Sequence, residues 1–196
     1  MAASFAEVEE FALKQGYPII LKPVDNRGSF GVSKVKSEAE LKDAYFHAFV
    51  NSNSRLVIVE QFIQGFEITV DGYVFNGQPC SLSLARKSHV NSETRVAVDI
   101  KYPGEMPEEV YQAAMRNNEK VTQALGYQFG MIHSEYIVED QTNDIYLVES
   151  ANRGGGVYTA EVIAPAVSGV DLVKALVNDV LGMKRTEMPE KIGRNE

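Results

Sequence analysis

Glu135 and Glu149 interrupt two otherwise apolar stretches on either side of a polar turn, within FGMIHSEYIVEDQTNDIYLVESANRGGG from Phe129 to Gly156. Read as a β-hairpin centred near Thr142, each acid lies seven residues from the centre, so the two face one another. Alternation puts His133, Glu135 and Ile137 on one face of the first strand, and Ile145, Leu147 and Glu149 together on the second. Opposed Cβ atoms are about 4.5–5.5 Å apart, where like charges repel. The pair needs a cation, a shared proton or solvent. A half-buried carboxylate without a partner costs roughly several kcal/mol or shifts its pKa. Oxygen ligands beside a phosphate suit Mg²⁺. Arg153 follows Glu149 by four residues and precedes Gly154, Gly155 and Gly156. Its guanidinium can clamp a carboxylate or a phosphoryl group with two hydrogen bonds, or lie on the surface of a flexible loop.

Lys22 ends an apolar run directly before the turn-rich segment DNRGSFG. A lysine there can reach a phosphate while Gly28 and Gly31 let backbone N–H groups approach it; the alternative is a snorkelling side chain beside a tight turn. Arg27-Gly28-Ser29-Phe30-Gly31-Val32 shares part of the protein-kinase glycine loop, but no HRD or DFG follows, and neither a Walker A motif nor a full GxGxxG is present. Glu60 and Glu67 flank Gly65 and, alone, read as solvated acids at strand ends. Arg86-Lys87-Ser88-His89 reads more simply as a solvated strand edge than as a cleft lining. Arg95 and Lys101 are undecided, His47 sits on an ordinary helix, and Cys80 is a small buried hydrophobe.

The positioning elements follow from pattern. Ser4 with Glu7 has capping-box spacing ahead of Phe5, Val8, Phe11 and Ala12, and Gly16 closes that helix. Tyr17 to Leu21 is a buried strand, with another short strand ending near Val35. Ser37 with Glu40 repeats the capping box before Leu41, Ala44, Tyr45 and Ala48. Leu56 to Glu60 and Phe66 to Phe75 are strands, and Asn76-Gly77 turns the second into an antiparallel return from Ser81 to Lys87. The segment from His89 to Gly104 is loop with a possible strand. Pro107 opens a helix to about Leu125, and Asp171 caps a last one to Leu181. From Met183 the chain reads as a charged, frayed tail. The order of elements is α+β, without the regular alternation of a doubly wound sheet.

At 196 residues, with 44% hydrophobic and 23% charged residues, the chain suits one core or two small lobes. Its net charge of −8 argues against non-specific nucleic-acid binding. A single cysteine excludes an intrachain disulfide and disfavours a cysteine-ligated zinc site. No apolar run approaches the length of a membrane span and no signal-peptide pattern opens the chain, so the expected location is cytoplasmic.

The chain resembles the ATP-grasp fold, in its carboxylate–amine ligase and carbamoyl-phosphate-synthase-like branch. The resemblance is carried by Gly16-Tyr17-Pro18-Ile19-Ile20-Leu21-Lys22-Pro23, Arg27 to Val32, Val59-Glu60-Gln61-Phe62-Ile63 with Gly65, Glu67 to Gly72, His133-Ser134-Glu135, and Glu149 to Gly156. It implies two α+β lobes with a nucleotide cleft between antiparallel sheets: a small lobe over 1–62, a large lobe over 63–184 with the hairpin, and a tail over 185–196. It implies that Lys22 contacts ATP phosphates beneath a loop of Arg27, Gly28, Ser29 and Gly31. Glu60 and Phe62 offer backbone groups to adenine, and Glu67 takes the ribose hydroxyls. Glu135 and Glu149 hold one or two Mg²⁺, with Mn²⁺ a possible substitute. Arg153 and His133 serve the acyl phosphate through which a small-molecule carboxylate is joined to an amine or ammonia. Carbamoyl-phosphate-forming and biotin-carboxylase-like chemistry are alternatives within the family. Two departures bear on this. Ala151 stands where the family often has a metal-ligating asparagine, with Asn152 one position late. Only 21 residues precede Lys22, so the chain reads as a region lacking an N-terminal domain, inactive when isolated. A non-catalytic nucleotide-binding module is the reading from another class. Neither a nucleic-acid nor a membrane partner is expected.

Overall fold

The structure, a computed structural model, describes residues 1–26, 28–89 and 97–183. Arg27, Arg95 and the tail expected over 185–196 lie outside the described residues. The chain divides into two compact units: Met1–Ile63 with His89–Ala97, and Gln64–Ser88 with the chain from Val98.

In the first unit, helix α1 (Phe5–Gln15) starts where Ser4 Oγ accepts from the Glu7 N–H and Glu7 accepts from the Ser4 N–H. It ends at Gly16, whose φ of +75° needs no Cβ. Strand β1 (Ile19–Pro23) is central, between β2 (Ser33–Val35) and β3 (Val57–Gln61), and both pairings are antiparallel. Ile19 and Leu21 point into a core closed by Val8 and Ala12 of α1 and by Leu41, Tyr45 and Ala48 of α2 (Glu38–Val50). Ile20 and Lys22 take the opposite face. Ser37 is the N-cap of α2, but its side chain makes no capping bond; Glu40 instead accepts from the Lys36 N–H at 2.8 Å. The serine half of the second capping box is therefore not made, and Glu40 reaches the N–H one residue ahead of the cap.

The second unit carries a five-stranded sheet in the order β6-β5-β4-β7-β8, built from β4 (Gly65–Phe75), β5 (Gln78–His89), β6 (Ala97–Lys101), β7 (Gly130–Glu139) and β8 (Ile145–Ala151). Asn76 and Gly77, at φ +55° and +76°, make the tight turn between β4 and β5. Helix α3 (Glu108–Ala124) covers one face, packing Val110, Tyr111 and Ala114 on Ile68, Val70, Leu84, Tyr136 and Val138. At one end of the other face, Tyr73, Phe75 and Met131 lie under a π-helical turn (Thr159–Ile163), α4 (Ala164–Ser168) and α5 (Leu172–Val180). Asp171 caps α5 by accepting from the Lys174 N–H. The turns over Thr159–Ser168 were not legible in the sequence, because a five-residue π-turn joined to a five-residue helix shows no full apolar period.

Gly72 sits where β4 and β5 shift register, and a Cβ there would lie 2.3 Å from the Cys80 carbonyl oxygen. Gly72→Ala should lower stability by about 1–3 kcal/mol, as overpacking does, read as a drop in urea midpoint at unchanged slope. An unshifted midpoint would show that the strands part without cost.

Candidate functional site

The remaining part of that second face is polar, and the register says which residues share it. Asp71 pairs with His133 and Ser83, Thr69 with Glu135, and Glu135 with Glu149. Alternation adds Glu67 on β4 and Lys87 on β5. The expected opposition of Glu135 and Glu149 is present, but by a different route. Val138↔Ile145, Ile137↔Tyr146 and Tyr136↔Leu147 centre the hairpin half a residue earlier than Thr142, which on its own would set Glu135 against Val148. A bulge in β8 takes up Val148 and restores Glu149 as the partner. It also corrects the expectation that Ile145, Leu147 and Glu149 share a face. Ile145 packs against the α3 side, while Glu149 lies with Glu135.

Charges on this face alternate in sign. Lys87, with 10% of its side chain exposed, forms an ion pair with Glu135 Oε1. His133 Nε2 stands 3.6 Å from the same oxygen. On the ring's other side, Nδ1 is 2.7 Å from Asp71 Oδ1, and the Tyr102 hydroxyl donates to Asp71 Oδ2 at 2.7 Å. Tyr102 is brought there because Gly104 donates its N–H to the Leu84 carbonyl, seating that segment on β5. Burial alone would lower the His133 pKa, but its hydrogen bonds and charge interactions with Asp71 and Glu135 outweigh that and raise it to about 9. Burial pushes the Glu135 carboxyl up, yet His133 and Lys87 reverse the shift and hold it at about 2. Burial and the adjoining Asp71 carboxylate raise Tyr102.

Lys87 is therefore not a solvated edge residue, as its cluster suggested. Its neighbour Arg86 points the other way, stacking on Phe66 with the guanidinium carbon 4.0 Å from the ring centroid. Asp71 and Tyr102 escaped sequence reasoning. The available signal for Asp71 was an acid in the apolar run ITVDGYVF; Tyr102 had none, lying in an ambiguous loop.

Beyond β8, Asn152 donates its side-chain amide to the carbonyls of Phe129 and Met131, at 3.1 and 2.9 Å. Those bonds commit its nitrogen to the backbone of the strand start. Arg153 is exposed and donates to the Gly154 carbonyl at 2.8 Å. The glycines after it are not simply flexible spacers. A Cβ at Gly155 would lie 2.7 Å from His133 Nδ1, and one at Gly154 would lie 2.6 Å from the Ala160 Cβ. Among the described residues no group of three or more His, Cys, Asp or Glu side chains is placed to hold a metal. The Glu135/Glu149 pair nonetheless fits a hard divalent ion. One carboxylate is ionised far below neutrality, the other is exposed opposite it, and both are oxygen donors.

In the first unit, Lys22 forms an ion pair with Glu60 at 2.8 Å, diagonally across β1 and β3. Phe62 lies under the Lys34 ammonium, 3.5 Å from the ring centroid, and its N–H donates to the Pro18 carbonyl. Gly28, Ser29 and Gly31 all have φ between +61° and +83°, and a Cβ on Gly31 would meet Pro23 Cγ at 2.6 Å. Glu67 lies on β4, in register with Ile137. Of the residues expected in one nucleotide site, the structure groups Lys22 with Glu60 in the first unit, and His133, Glu135 and Glu149 with Glu67 on one face in the second.

Comparison with known proteins identifies this arrangement. The ATP-grasp domain family matches residues 15–161, the greater part of the chain. The chain belongs to the ATP-grasp family. It is 27% identical to the carbamoyl phosphate synthase large chain of Caldanaerobacter subterraneus, over 98% of this chain and 17% of that protein. To the D-alanine–D-alanine ligase of Parabacteroides distasonis it is 28% identical, over 88% of this chain and 53% of that one. This ATP-grasp chain thus spans about half, or less, of the curated relatives it matches. Among solved structures, the biotin carboxylase domain of Hydrogenobacter thermophilus 2-oxoglutarate carboxylase, in complex with MgADP, ADP and bicarbonate, superposes with a TM-score of 0.80 at 19% identity. That superposition covers 94% of this chain and 41% of the other. An L-amino acid ligase from Bacillus licheniformis does so at 0.73 and 22%, covering 87% and 40%. Both likenesses establish the fold.

The alternating charges set a pH dependence in the metal-free protein. His133, raised from 6.5 to about 9, adds stability that is complete below about pH 6.5 and lost as pH rises through about 9. Glu135, lowered from 4.5 to about 2, adds stability that is complete above about pH 4.5 and lost as pH falls through about 2. Melting temperatures of EDTA-treated protein should reflect both contributions fully between about pH 4.5 and 6.5, and His133→Gln should flatten the alkaline decline. An alkaline limb identical in the variant and the parent would rule out a charged imidazole.

Proposed function

We propose that this chain is the ATP- and Mg²⁺-binding region of a ligase that activates a carboxylate as an acyl phosphate for attack by an amine or ammonia. The observation that carries the reading is the Glu135/Glu149 pair facing across a hairpin, with Lys87 and His133 against it, inside an ATP-grasp fold. Relatives named as ligases of D-alanine and of L-amino acids support the joining of a carboxylate to an amine. A carbamoyl-phosphate-forming or carboxylating reaction is the alternative that the synthase and carboxylase names support.

In this reading residues 1–62 form the small lobe and 63–184 the large lobe, and both contribute groups to the nucleotide. Lys22 attracts the phosphates as a point charge, and the left-handed backbone of Gly28, Ser29 and Gly31, with Arg27, folds over them. Glu60 and Phe62 line the adenine through their backbone, next to the turn in which the Phe62 N–H donates to the Pro18 carbonyl. Glu67 takes the ribose hydroxyls. Glu135 and Glu149 would hold Mg²⁺, one ion or two, which when bound neutralises phosphate charge. Lys87 and protonated His133 present positive charge to the developing acyl phosphate, and Arg153, once it leaves the Gly154 carbonyl, binds the carboxylate of the acceptor or the transferred phosphoryl group. Positioning and charge neutralisation supply the catalysis. Because the chain spans only part of the relatives it matches, further groups of the site would come from a longer protein, and the chain by itself would bind nucleotide weakly without turnover. Small-molecule carboxylate and amine substrates, without nucleic acid or membrane, and a cytoplasmic location belong to the same reading. No helix among the described residues is long and apolar enough to cross a membrane.

A non-catalytic nucleotide-binding module is the second reading, favoured by one observation. Ala151 brings no ligand, and the Asn152 side chain is tied through its amide nitrogen to the Phe129 and Met131 carbonyls. Calorimetric titration with ATP, with and without Mg²⁺, separates these proposals. The chain, or the longer protein containing it, should bind ATP in a Mg²⁺-dependent way. Glu135→Gln with Glu149→Gln should remove that dependence, weakening binding in Mg²⁺ about 10-fold or more. An unchanged Mg²⁺ requirement in the double variant would sink the metal assignment. Binding by the longer protein, without ADP release for any carboxylate and amine, would favour the non-catalytic module.

A further inference from the structure

Asp71 is a carboxylate in the middle of the central strand, 2% exposed, and nothing in the proposed chemistry uses it. Both of its oxygens are engaged. Oδ1 is 2.7 Å from His133 Nδ1, and Oδ2 accepts from the Tyr102 hydroxyl at 2.7 Å. The same ring nitrogen is 3.3 Å from Thr69 Oγ1. On that same edge the backbone of Gly155 comes so near that a Cβ would stand 2.7 Å from Nδ1, 3.0 Å from Cε1 and 3.1 Å from Asp71 Oδ1. Strand β4 and the loop after β8 therefore close on one edge of the imidazole, while the segment carrying Tyr102 holds the other oxygen of Asp71. Its other nitrogen, Nε2, is turned toward Glu135.

We propose that Asp71 and Tyr102 are positioning residues, a buried pair that locks the His133 ring so that only Nε2 meets a ligand bound beside Glu135. The proposal rests on the reading that this face receives a phosphorylated substrate. Desolvating a carboxylate in a strand core is costly, and Thr or Val would fill the volume without that cost. What a carboxylate adds is a fixed acceptor for an N–H, and such an acceptor decides which ring nitrogen faces outward. Tyr102 holds the second oxygen and prevents the carboxylate from swinging away. Gly155 closes the same edge, so a flipped ring could not place a second N–H on a ligand there.

The test uses the full chain labelled with ¹⁵N-histidine. It has three histidines, His47, His89 and His133, and His133→Gln identifies the signal of the third. The parent should show a slowly exchanging, downfield Nδ1–H proton for His133. That proton should survive in Tyr102→Phe with faster exchange and vanish in Asp71→Asn. In titrations with ATP and Mg²⁺, Asp71→Asn and His133→Gln should each weaken binding about 10-fold or more. The Asp71→Asn/His133→Gln double variant should be no weaker than His133→Gln alone, because Asp71 acts through the ring. A retained Nδ1–H in Asp71→Asn, or an additive double variant, overturns the proposal. Should Asp71→Asn fail to fold, Tyr102→Phe decides the matter through exchange rate: no acceleration overturns it. Absence of ATP binding in the parent would count against the proposed function, while the ring signals still decide the positioning.

Discussion

Glu135 is the charge on which the second unit's inner face depends. It lies in a strand flanked on both sides by other strands, and the register sets a second acid, Glu149, directly across from it. That arrangement is tolerable only if positive charge is close by, and two side chains provide it. Lys87 reaches it from β5, across the whole width of β4, and His133 lies two residues before it on β7. The histidine carries charge because Asp71 faces it, and Tyr102 satisfies the remaining oxygen of Asp71. Removing Lys87 or His133 would leave Glu135 facing Glu149 with less compensating charge, and breaking a buried pair in this way costs about 3–5 kcal/mol. The polar face thus stands or falls as a set, and its members come from three strands and one loop.

Such a set requires the rest of the sheet to be apolar and tightly covered. Helix α3 seals one face on Ile68, Val70, Leu84 and Tyr136, and polar groups beneath it form a hydrogen-bonded chain. The Tyr136 hydroxyl donates to Asn118, whose amide donates to Ser81, whose hydroxyl donates to the Met115 carbonyl. The other face is apolar where α4 and α5 lie on it and polar only beyond them. A single sheet face is divided along its length between core and site, and the boundary on β4 falls between Asp71 and Tyr73. The loop after β8 reaches across that boundary. Gly154 rests on Met131 and Ala160, and Gly155 on His133.

Local chemistry made much of this legible from sequence. The Ser4/Glu7 box, the Asn76-Gly77 turn, the Asp171 cap and the alternation around Glu135 are short-range signals, and each appears where its residues stand. What escaped depended on contacts remote in sequence. Ser37 and Glu40 have the right spacing, but Glu40 found the Lys36 N–H and the serine made no capping bond. The bulge at Val148 has no residue signature, and without it the acids would not be opposite. Lys87 looked like an edge residue because neither β6 on its outer side nor its partner, 48 positions later at Glu135, can be read from the run ARKSH. Asp71 and Tyr102 are joined across 31 positions, and although Asp71 falls in the family-like stretch Glu67 to Gly72, nothing there points to Tyr102.

The two lysines in the proposed site share a further property. Lys22 is held by Glu60 and Lys87 by Glu135, so each ammonium already has a carboxylate against it. A bare phosphate approaching Lys87 would bring its own negative charge toward Glu135 and gain little. A bare divalent cation approaching Glu135 would meet the ammonium. A ligand carrying both charges extends the alternation instead: ammonium to phosphate, phosphate to Mg²⁺, Mg²⁺ to carboxylate. Each existing charge then keeps an opposite neighbour, and the strands need not move. In the function proposed above, such an arrangement would favour a ligand that carries both charges over either charge alone, through charges already desolvated when the sheet folds.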